Sequence, residues 1–354
     1  MSKAIIAMSG GVDSSVSAYI MKSKGFDCIG VTMKLFSNES IAASQRTCCS
    51  AEDTEDARSV CIKLGIPYYV FNFTSDFENR VIEKFAREYE SGATPNPCID
   101  CNRYLKFGRL FQRAKELGIG TVATGHYARI REENGRMILL KAVDAKKDQS
   151  YVLYAMTQEQ LRHTNFPLGE MTKEQVREIA AEQGFYNSAK PDSQDICFVP
   201  DGNYGSFLEK YRGRPYPNGD FVNTEGSVLG KHRGIVNYTV GQRRGLGISS
   251  RSRLYVCEID NRENKVILGT NEELFKKEFD VKDFNWIMFG TAPDKPFKAA
   301  VRVRYHQKEQ EAVISPTGEN TAHIELKNSM RAVTKGQAAV VYDGDFVIGG
   351  GTIF

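Results

Sequence analysis

The stretch Lys3-Ala4-Ile5-Ile6-Ala7-Met8-Ser9-Gly10-Gly11-Val12-Asp13-Ser14-Ser15 decides the fold. Ala4–Met8 is a short apolar run, Ser9–Gly11 a turn, and Val16–Lys24 keeps helical spacing through Val16, Tyr19 and Ile20, ending at Gly25. Working outward, the alternation repeats. Cys28–Leu35 reads as a strand, Glu52–Leu64 as a helix stopped by Gly65, and Pro67–Phe73 as a strand. Phe107–Leu117 is a helix ending at Gly118, and Thr121–Thr124 is a short strand. Strands alternating with helices of this length predict an α/β region with a doubly wound parallel sheet.

The texture then changes. Residues 213–247 hold ten Gly or Pro and no helical period. Val301, Val303 and Tyr305 alternate with Arg302, Arg304 and His306, the pattern of a half-buried strand. Ala338–Tyr342 and Phe346–Ile348 flank Asp343-Gly344, a hairpin signal. The expected division is an α/β domain over 1–203, a small β-rich, Gly-rich basic domain over 204–275, and a C-terminal β-barrel over 276–354. A chain of 354 residues suits two or three domains. With 41% hydrophobic and 26% charged residues it is of ordinary globular composition, not disordered or collagen-like. It has no apolar run of about 18 residues, and Ala4–Met8 is too short for a signal-peptide core, so a cytoplasmic location without membrane contact is expected. The eight cysteines are then expected to stay mostly reduced, and are read first as nucleophiles or ligands.

Charge is unevenly spread. Residues 210–253 carry nine Lys/Arg against two acids, a local +7 that leaves −4 elsewhere in a chain of net charge +3. Such a basic stretch fits either a polyanion footprint or a solvated loop. The turn Ser9–Ser15 is more specific. Backbone N–H groups at a helix N-terminus, with the helix dipole, make an anion site. Gly10 and Gly11 let the backbone approach phosphate oxygens, the serines add donors, and Asp13 can hold Mg²⁺. The lysine of G-x-x-x-x-G-K-[ST] and the pattern G-x-G-x-x-G are both absent. The latter absence also disfavours a methyltransferase. The loop resembles the PP-loop ATP pyrophosphatases, whose signature is S-G-G-x-D-S-[ST] and which cleave ATP between its α and β phosphates.

Two cysteine segments narrow the class: Asn96-Pro97-Cys98-Ile99-Asp100-Cys101-Asn102 and Asp192-Ser193-Gln194-Asp195-Ile196-Cys197-Phe198. With Thr124–Ala128, Lys147–Tyr151, Tyr238–Gly247, Arg302–Gln307 and Gly336-Gln337, the set resembles the tRNA-specific 2-thiouridylases from residue 3 to the C-terminus. The resemblance implies ATP-dependent 2-thiolation of the wobble uridine. Cys197 would carry a persulfide and Cys101 would be the partner nucleophile, the two ending as a transient disulfide. It further implies an ATP site at Ala7, Met8, Ser9, Gly10, Gly11, Val12, Asp13, Ser14, Met33 and Gly125. Asn96, Pro97 and Cys98 would face the target base, and His126, Lys147, Asp148, Gln149, Arg304, Tyr305 and Gln337 would touch the tRNA. Arg243 and Arg244 are the candidates for phosphate contacts from the basic stretch. ATP with Mg²⁺, tRNA, and a cysteine desulfurase or sulfur-relay protein as donor are the expected cofactor and partners.

One position departs from the pattern. Some family members have an Asp, a candidate acid/base group, where this chain has Cys98. The change creates Cys98-x-x-Cys101, so Cys98, Cys101 and Cys197 could instead hold a [4Fe–4S] cluster. Cys48-Cys49 could join a zinc site with Cys98 and Cys101, although adjacent residues chelate one ion awkwardly. Cys28, Cys61 and Cys257 read as core. Another PP-loop adenylating ligase, or an RNA-binding or sulfur-carrier protein with a relic loop, remain the competing functions.

Overall fold

A computed structural model describes residues 2–36, 51–191, 196–250 and 252–354. Cys48, Cys49, Asp192–Asp195 and Arg251 lie outside the described residues. Contacts group the chain into two units: Met1–Ile82, Cys98–Pro200 and Asp345–Val347 form the first, and Glu83–Pro97, Asp201–Gly344 and Ile348–Phe354 the second. That Glu83–Pro97 goes with the second unit is not anticipated by a reading in consecutive segments.

In the first unit, β1 (Lys3–Ala7), β2 (Asp27–Lys34), β3 (Tyr68–Asn72), β4 (Thr121–Ala123) and, after the hairpin β5 (Arg129–Glu133) and β6 (Arg136–Leu140), β7 (Thr164–Asn165) are the strands. Five of them form one sheet in the order β3-β2-β1-β4-β7, and every pairing is parallel. The doubly wound expectation is met. β1 is central, with Ile5 and Ile6 fully buried, because helices cover both faces of such a sheet. Helices α1 (Val12–Ser23) and α2 (Ala51–Leu64) follow β1 and precede β3. α1 begins four residues before Val16, so Ser14 and Ser15 lie inside its first turn. The helix expected from Phe107 begins ten residues earlier, running as Pro97–Asp100, a π-helical Cys101–Arg109 and Leu110–Glu116.

In the second unit, β8 (Gly219–Asn223), β9 (Val228–His232), β10 (Tyr255–Asp260) and β11 (Lys265–Gly269) make a four-stranded sheet ordered β10-β11-β8-β9. Then β12 (Phe275–Asn285), β13 (Phe297–Arg302), β14 (Gln310–Gly318), β15 (Thr321–Arg331), β16 (Ala338–Asp343) and β17 (Phe346–Ile353) run β12-β15-β14-β13-β16-β17 and close through β12–β17. This is the expected C-terminal barrel, filled by Val281, Phe284, Trp286, Val301, Ile314 and Val341. One strand is shorter than its pattern. β13 stops at Arg302, and Arg304 and Tyr305 lie in the following turn, although Val303 stays buried. Alternation in sequence reports which side chains are buried, and a tight turn can bury one without continuing the ladder.

Candidate active site

Because β1 lies between β2 and β4, the chain leaves its carboxyl end at the switch point of the sheet, where ligands gather in this architecture. Two glycines make the approach there possible. Gly10 has φ +74°, and a Cβ on it would lie 2.3 Å from the Asp53 carbonyl oxygen. Gly125, just after β4, packs so closely on the loop that a Cβ would lie 2.9 Å from the Ser14 amide nitrogen. The serines build the loop from inside: Ser14 Oγ and Ser15 Oγ each donate to the Gly11 carbonyl at 3.0 Å, and Ser9 N–H donates to Ser14 Oγ at 3.2 Å. Buried Asn187 donates from Nδ2 to the Gly10 carbonyl (2.9 Å) and to Ser15 Oγ (3.0 Å). Gly11 brings no side chain to cap α1, so the N-terminal amides keep the donor capacity a phosphate needs. A glycine cradle, an open helix start and a fixed backbone fit a nucleotide triphosphate.

Asp13, in the first turn of α1, is held by two neighbours that sequence reading missed. Tyr127 Oη donates to Asp13 Oδ1 at 2.8 Å, and Lys173 Nζ reaches the same oxygen at 2.7 Å. The loop lacks a lysine, but the site does not. Lys173 opens the helix Lys173–Glu182, whose capping box pairs Thr172 with Gln175. A second cation, Lys190, bridges Asp53 and Asp56 at 2.6 Å each. Burial works against its charge, yet hydrogen bonds and attraction from the two carboxylates hold its pKa above the ordinary lysine value. The capping box is visible in the sequence and signals a helix start at 173. Nothing local in the sequence aims that lysine at Asp13.

Met8 is buried just past the end of the central strand β1, and Met33 sits on β2 opposite Phe71 of β3. His126 is buried between the rings of Phe107 and Phe166. Its Nδ1 lies 2.6 Å from Thr124 Oγ1 and its Nε2 lies 3.4 Å from Lys106 Nζ. An ammonium only donates, so Nε2 is the acceptor and Nδ1 carries the hydrogen. Burial first, and then the Lys106 charge, push the His126 pKa well below the ordinary histidine value. The ring is a neutral imidazole at the carboxyl end of β4.

The helical stretch that Cys101 begins and the residue after Cys197 each reach the same short helix, Thr74–Phe77. Cys101 begins the π-helical turn that carries Arg109, whose Nε donates to Asp76 Oδ2 at 3.0 Å. Cys197 precedes Phe198, a buried ring packed edge-on against Phe77 at 5.7 Å. Cys98 is exposed, Cys101 and Cys197 are half-buried, and all three are thiols. Among the described residues no three His, Cys, Asp or Glu side chains gather into a metal-holding group. Among the described residues, Cys98, Cys101 and Cys197 therefore do not form an assembled ligand set for a [4Fe–4S] cluster. Cys28 and Cys61 are core thiols, as expected, and burial raises their pKa to about 11 and about 12. Cys257 is half-buried on β10, and burial, with Glu273 beside it, raises it to about 11.

Several expected RNA contacts have structural tasks. Asp148 is buried, accepting from the amides of Ala142 (3.2 Å) and Ser150 (3.1 Å) and from Ser150 Oγ (3.0 Å). Gln149 clamps Tyr127, donating to its carbonyl at 2.8 Å and accepting from its amide at 2.9 Å, beside the half-buried Lys147. Arg304 donates to the Val240 carbonyl (3.1 Å) and Thr334 Oγ1 (2.8 Å). Gln337 donates to the Thr94 carbonyl at 2.7 Å, close to Asn96 and Pro97 in sequence. Tyr305 stacks edge-on against His306. Arg243 and Arg244 are exposed and, among the described residues, make no ion pair.

Comparison with known proteins places each stretch of the chain in a family. The model of a tRNA methyl transferase HUP domain matches residues 2–201, that of a tRNA methyl transferase PRC-barrel domain 205–270, and that of an aminomethyltransferase beta-barrel domain 276–353. The chain is 48% identical to the tRNA-specific 2-thiouridylase MnmA of Clostridioides difficile (strain 630), over 99% of this chain and 98% of that protein. It is 47% identical to the proteins of that name from Clostridium acetobutylicum and Acetivibrio thermocellus, over 99% of this chain and 99% of each. The domain descriptions use methyltransferase wording, whereas the full-length relatives are named thiouridylases. At this identity over the whole length, the chain belongs to the family of tRNA-specific 2-thiouridylases.

Proposed function

We propose that the chain catalyses ATP-dependent replacement of O2 by sulfur in the wobble uridine of tRNA. The observation that carries this reading is the presence, within one unit, of the glycine loop at α1 and two half-buried thiols, Cys101 and Cys197, next to elements that reach one short helix, Thr74–Phe77. In the first half-reaction, O2 of the uridine attacks the α-phosphorus of ATP and pyrophosphate leaves, while the ring N3 gives up its proton to water. Residues Ala7–Ser14, Met33 and Gly125 would hold the nucleotide. Asp13 would hold Mg²⁺, whose charge would offset that of the phosphates.

In the second half-reaction, the terminal sulfur of a persulfide on Cys197 attacks C2 and AMP leaves. Cys101 thiolate then attacks the Cys197 sulfur. The sulfur–sulfur bond breaks with its electron pair on the atom bound to C2, and N3 takes a proton back from water, leaving 2-thiouridine and a Cys101–Cys197 disulfide. A dithiol reductant resets the enzyme, and a cysteine desulfurase or relay protein reloads Cys197. A neutral His126, buried between Phe107 and Phe166 and held by Thr124 and Lys106, would set the loop at the carboxyl end of β4. Arg243 and Arg244 suit phosphates, and Asp148, Gln149, Arg304 and Gln337 shape the loops that present Lys147, Tyr305 and Asn96–Cys98. Among the described residues no helix is long and apolar enough to cross a membrane.

The test uses protein purified without oxygen, freed of iron, and supplied with ATP, a persulfide donor and unmodified tRNA. 2-Thiouridine formation that Cys101→Ser and Cys197→Ser each abolish, with ATP and tRNA binding retained, is the expected result. Activity only after iron and sulfide loading would replace the relay with a cluster. No thiolation under either condition would overturn the reading.

A further inference from the structure

Among the described cysteines only Cys98 is exposed; Cys28 and Cys61 are buried, and Cys101, Cys197 and Cys257 are half-buried. Cysteine is among the most buried residue types and packs as a small hydrophobe. A thiol on the surface gains nothing from packing and is open to oxidation, so the position calls for a chemical reason. Its placement supplies one. Cys98 is the second residue of the short helix Pro97–Asp100, and Asp100 keeps helical angles (φ −66°, ψ −40°) into the turn that Cys101 begins. On a continuous helical backbone, residues three apart share a face with their Cα atoms about 5 Å apart. That spacing falls inside the range of roughly 4.4–6.8 Å that a disulfide spans. The spacing Cys98-x-x-Cys101 is also that of dithiol–disulfide redox motifs.

We propose that Cys98 is a resolving cysteine: it takes over the disulfide left by sulfur transfer, frees Cys197 for reloading, and presents the oxidised pair to a dithiol protein at the surface. The proposal rests on the reading that a Cys197 persulfide gives up its sulfur and leaves a Cys101–Cys197 disulfide. Cys98 would face the target base in that reading, so the exchange follows departure of the modified tRNA. Cys98 gives its proton to water, and its thiolate attacks the Cys101 sulfur. The Cys101–Cys197 bond breaks with its electron pair on Cys197, which leaves as a thiolate. One disulfide has replaced another, with no net oxidation. A thiolate of the dithiol protein then attacks the Cys98 sulfur, and Cys101 leaves as a thiolate. The second thiol of that protein attacks its partner sulfur in the mixed disulfide and expels Cys98. Two electrons have passed from the dithiol, now a disulfide, to the Cys98–Cys101 pair. Rates of such exchange depend on access to the attacked sulfur. A bond between half-buried Cys101 and Cys197 offers a bulky protein poor access, and moving it to Cys98 brings it to the surface.

The test follows persulfide-loaded wild type through one turnover with ATP and one equivalent of unmodified tRNA, in the absence of reductant. Samples are quenched in acid at increasing times, and their disulfides are mapped by mass spectrometry. At the end of the turnover the Cys101–Cys197 disulfide should equal the 2-thiouridine formed. It should then pass to Cys98–Cys101 while Cys197 regains a thiol. In Cys98→Ser the first disulfide, counted per thiouridine formed, should persist. Resetting of that variant by a thioredoxin-type dithiol protein should be at least about 10-fold slower than in wild type, while dithiothreitol should reset both. A Cys101–Cys197 disulfide that persists in wild type, with Cys98 still a thiol, would overturn the proposal and leave the sulfur relay standing. If Cys98→Ser makes no thiouridine, the wild-type time course decides by the same two outcomes. Wild type that does not thiolate, or that thiolates while Cys101 and Cys197 both remain thiols, would overturn the relay and this proposal with it.

Discussion

The nucleotide loop and the basic stretch 210–253 use charge in opposite ways. Around the loop the charges turn inward: Lys173 on Asp13, and Lys190 on Asp53 and Asp56. In the basic stretch the same residue types divide. Arg212 bridges Glu83 (2.8 Å) and Glu90 (2.9 Å), Tyr216 Oη donates to Glu90 at 2.7 Å, and Lys231 pairs with Asp220 at 2.6 Å. Arg243, Arg244 and Arg253 are exposed and make no ion pair among the described residues. A local formal charge of +7 therefore overstates what is available to RNA. Exposure and pairing decide which cations can grip a phosphate.

The largest expected effect lies in the loop. Gly125→Val places carbon against the backbone of Asp13 and Ser14, and should weaken ATP binding about 100-fold by calorimetry. Gly120→Ala, which meets nothing within 4 Å, should leave it unchanged. Equal effects at the two positions would mean the close approach does not shape the site.

Arg212→Gln should come next, as a stability effect. It strips the shared guanidinium from two partly buried carboxylates, leaving Glu83 with Tyr211 and Arg87 and Glu90 with Tyr216, and should cost about 2 kcal/mol at pH 7, read by thermal unfolding. Hydrogen bonds from Arg212 hold Glu83 below the ordinary carboxylate range; at Glu90, burial opposes the charge but Arg212 and Tyr216 still leave the pKa lowered. Depressed carboxylates contribute stability above their ordinary pKa and lose it as pH falls through their lowered values. The penalty should therefore shrink in acid. A penalty independent of pH would show the arginine acting by packing alone.

Arg243→Gln with Arg244→Gln should leave unfolding untouched and raise the tRNA dissociation constant about 5- to 10-fold at 0.15 M salt. The salt slope should fall by about 1 to 2. If the Arg212 variant changes the salt slope as much, the division of the basic stretch is wrong. The smallest effect is at His126. Its lowered pKa means the native state resists protonation, so stability should decline as pH drops below 6.5 toward that value. His126→Gln should flatten this part of the stability profile.

Contacts near in sequence were legible, and distant ones were not. β1, the Ser9–Ser15 turn and the following helix follow from local apolar spacing and glycine placement, and the β16–β17 hairpin follows from Asp343-Gly344. Lys173, Asn187 and Tyr127 reach the loop across 160, 177 and 114 positions, and no periodicity encodes such contacts. The capping box at Thr172 marked where a helix starts, not what its first lysine meets. Arg302–His306 failed differently: burial continued to Val303 while the ladder ended, because a turn satisfied the same alternation.

The most direct test is a single turnover with persulfide-loaded enzyme, ATP and one equivalent of unmodified tRNA, quenched in acid and read by mass spectrometry of both RNA and protein. One 2-thiouridine per AMP released, with a Cys101–Cys197 disulfide in equal amount, is the expected result. Thiouridine formed while both cysteines remain thiols would contradict it.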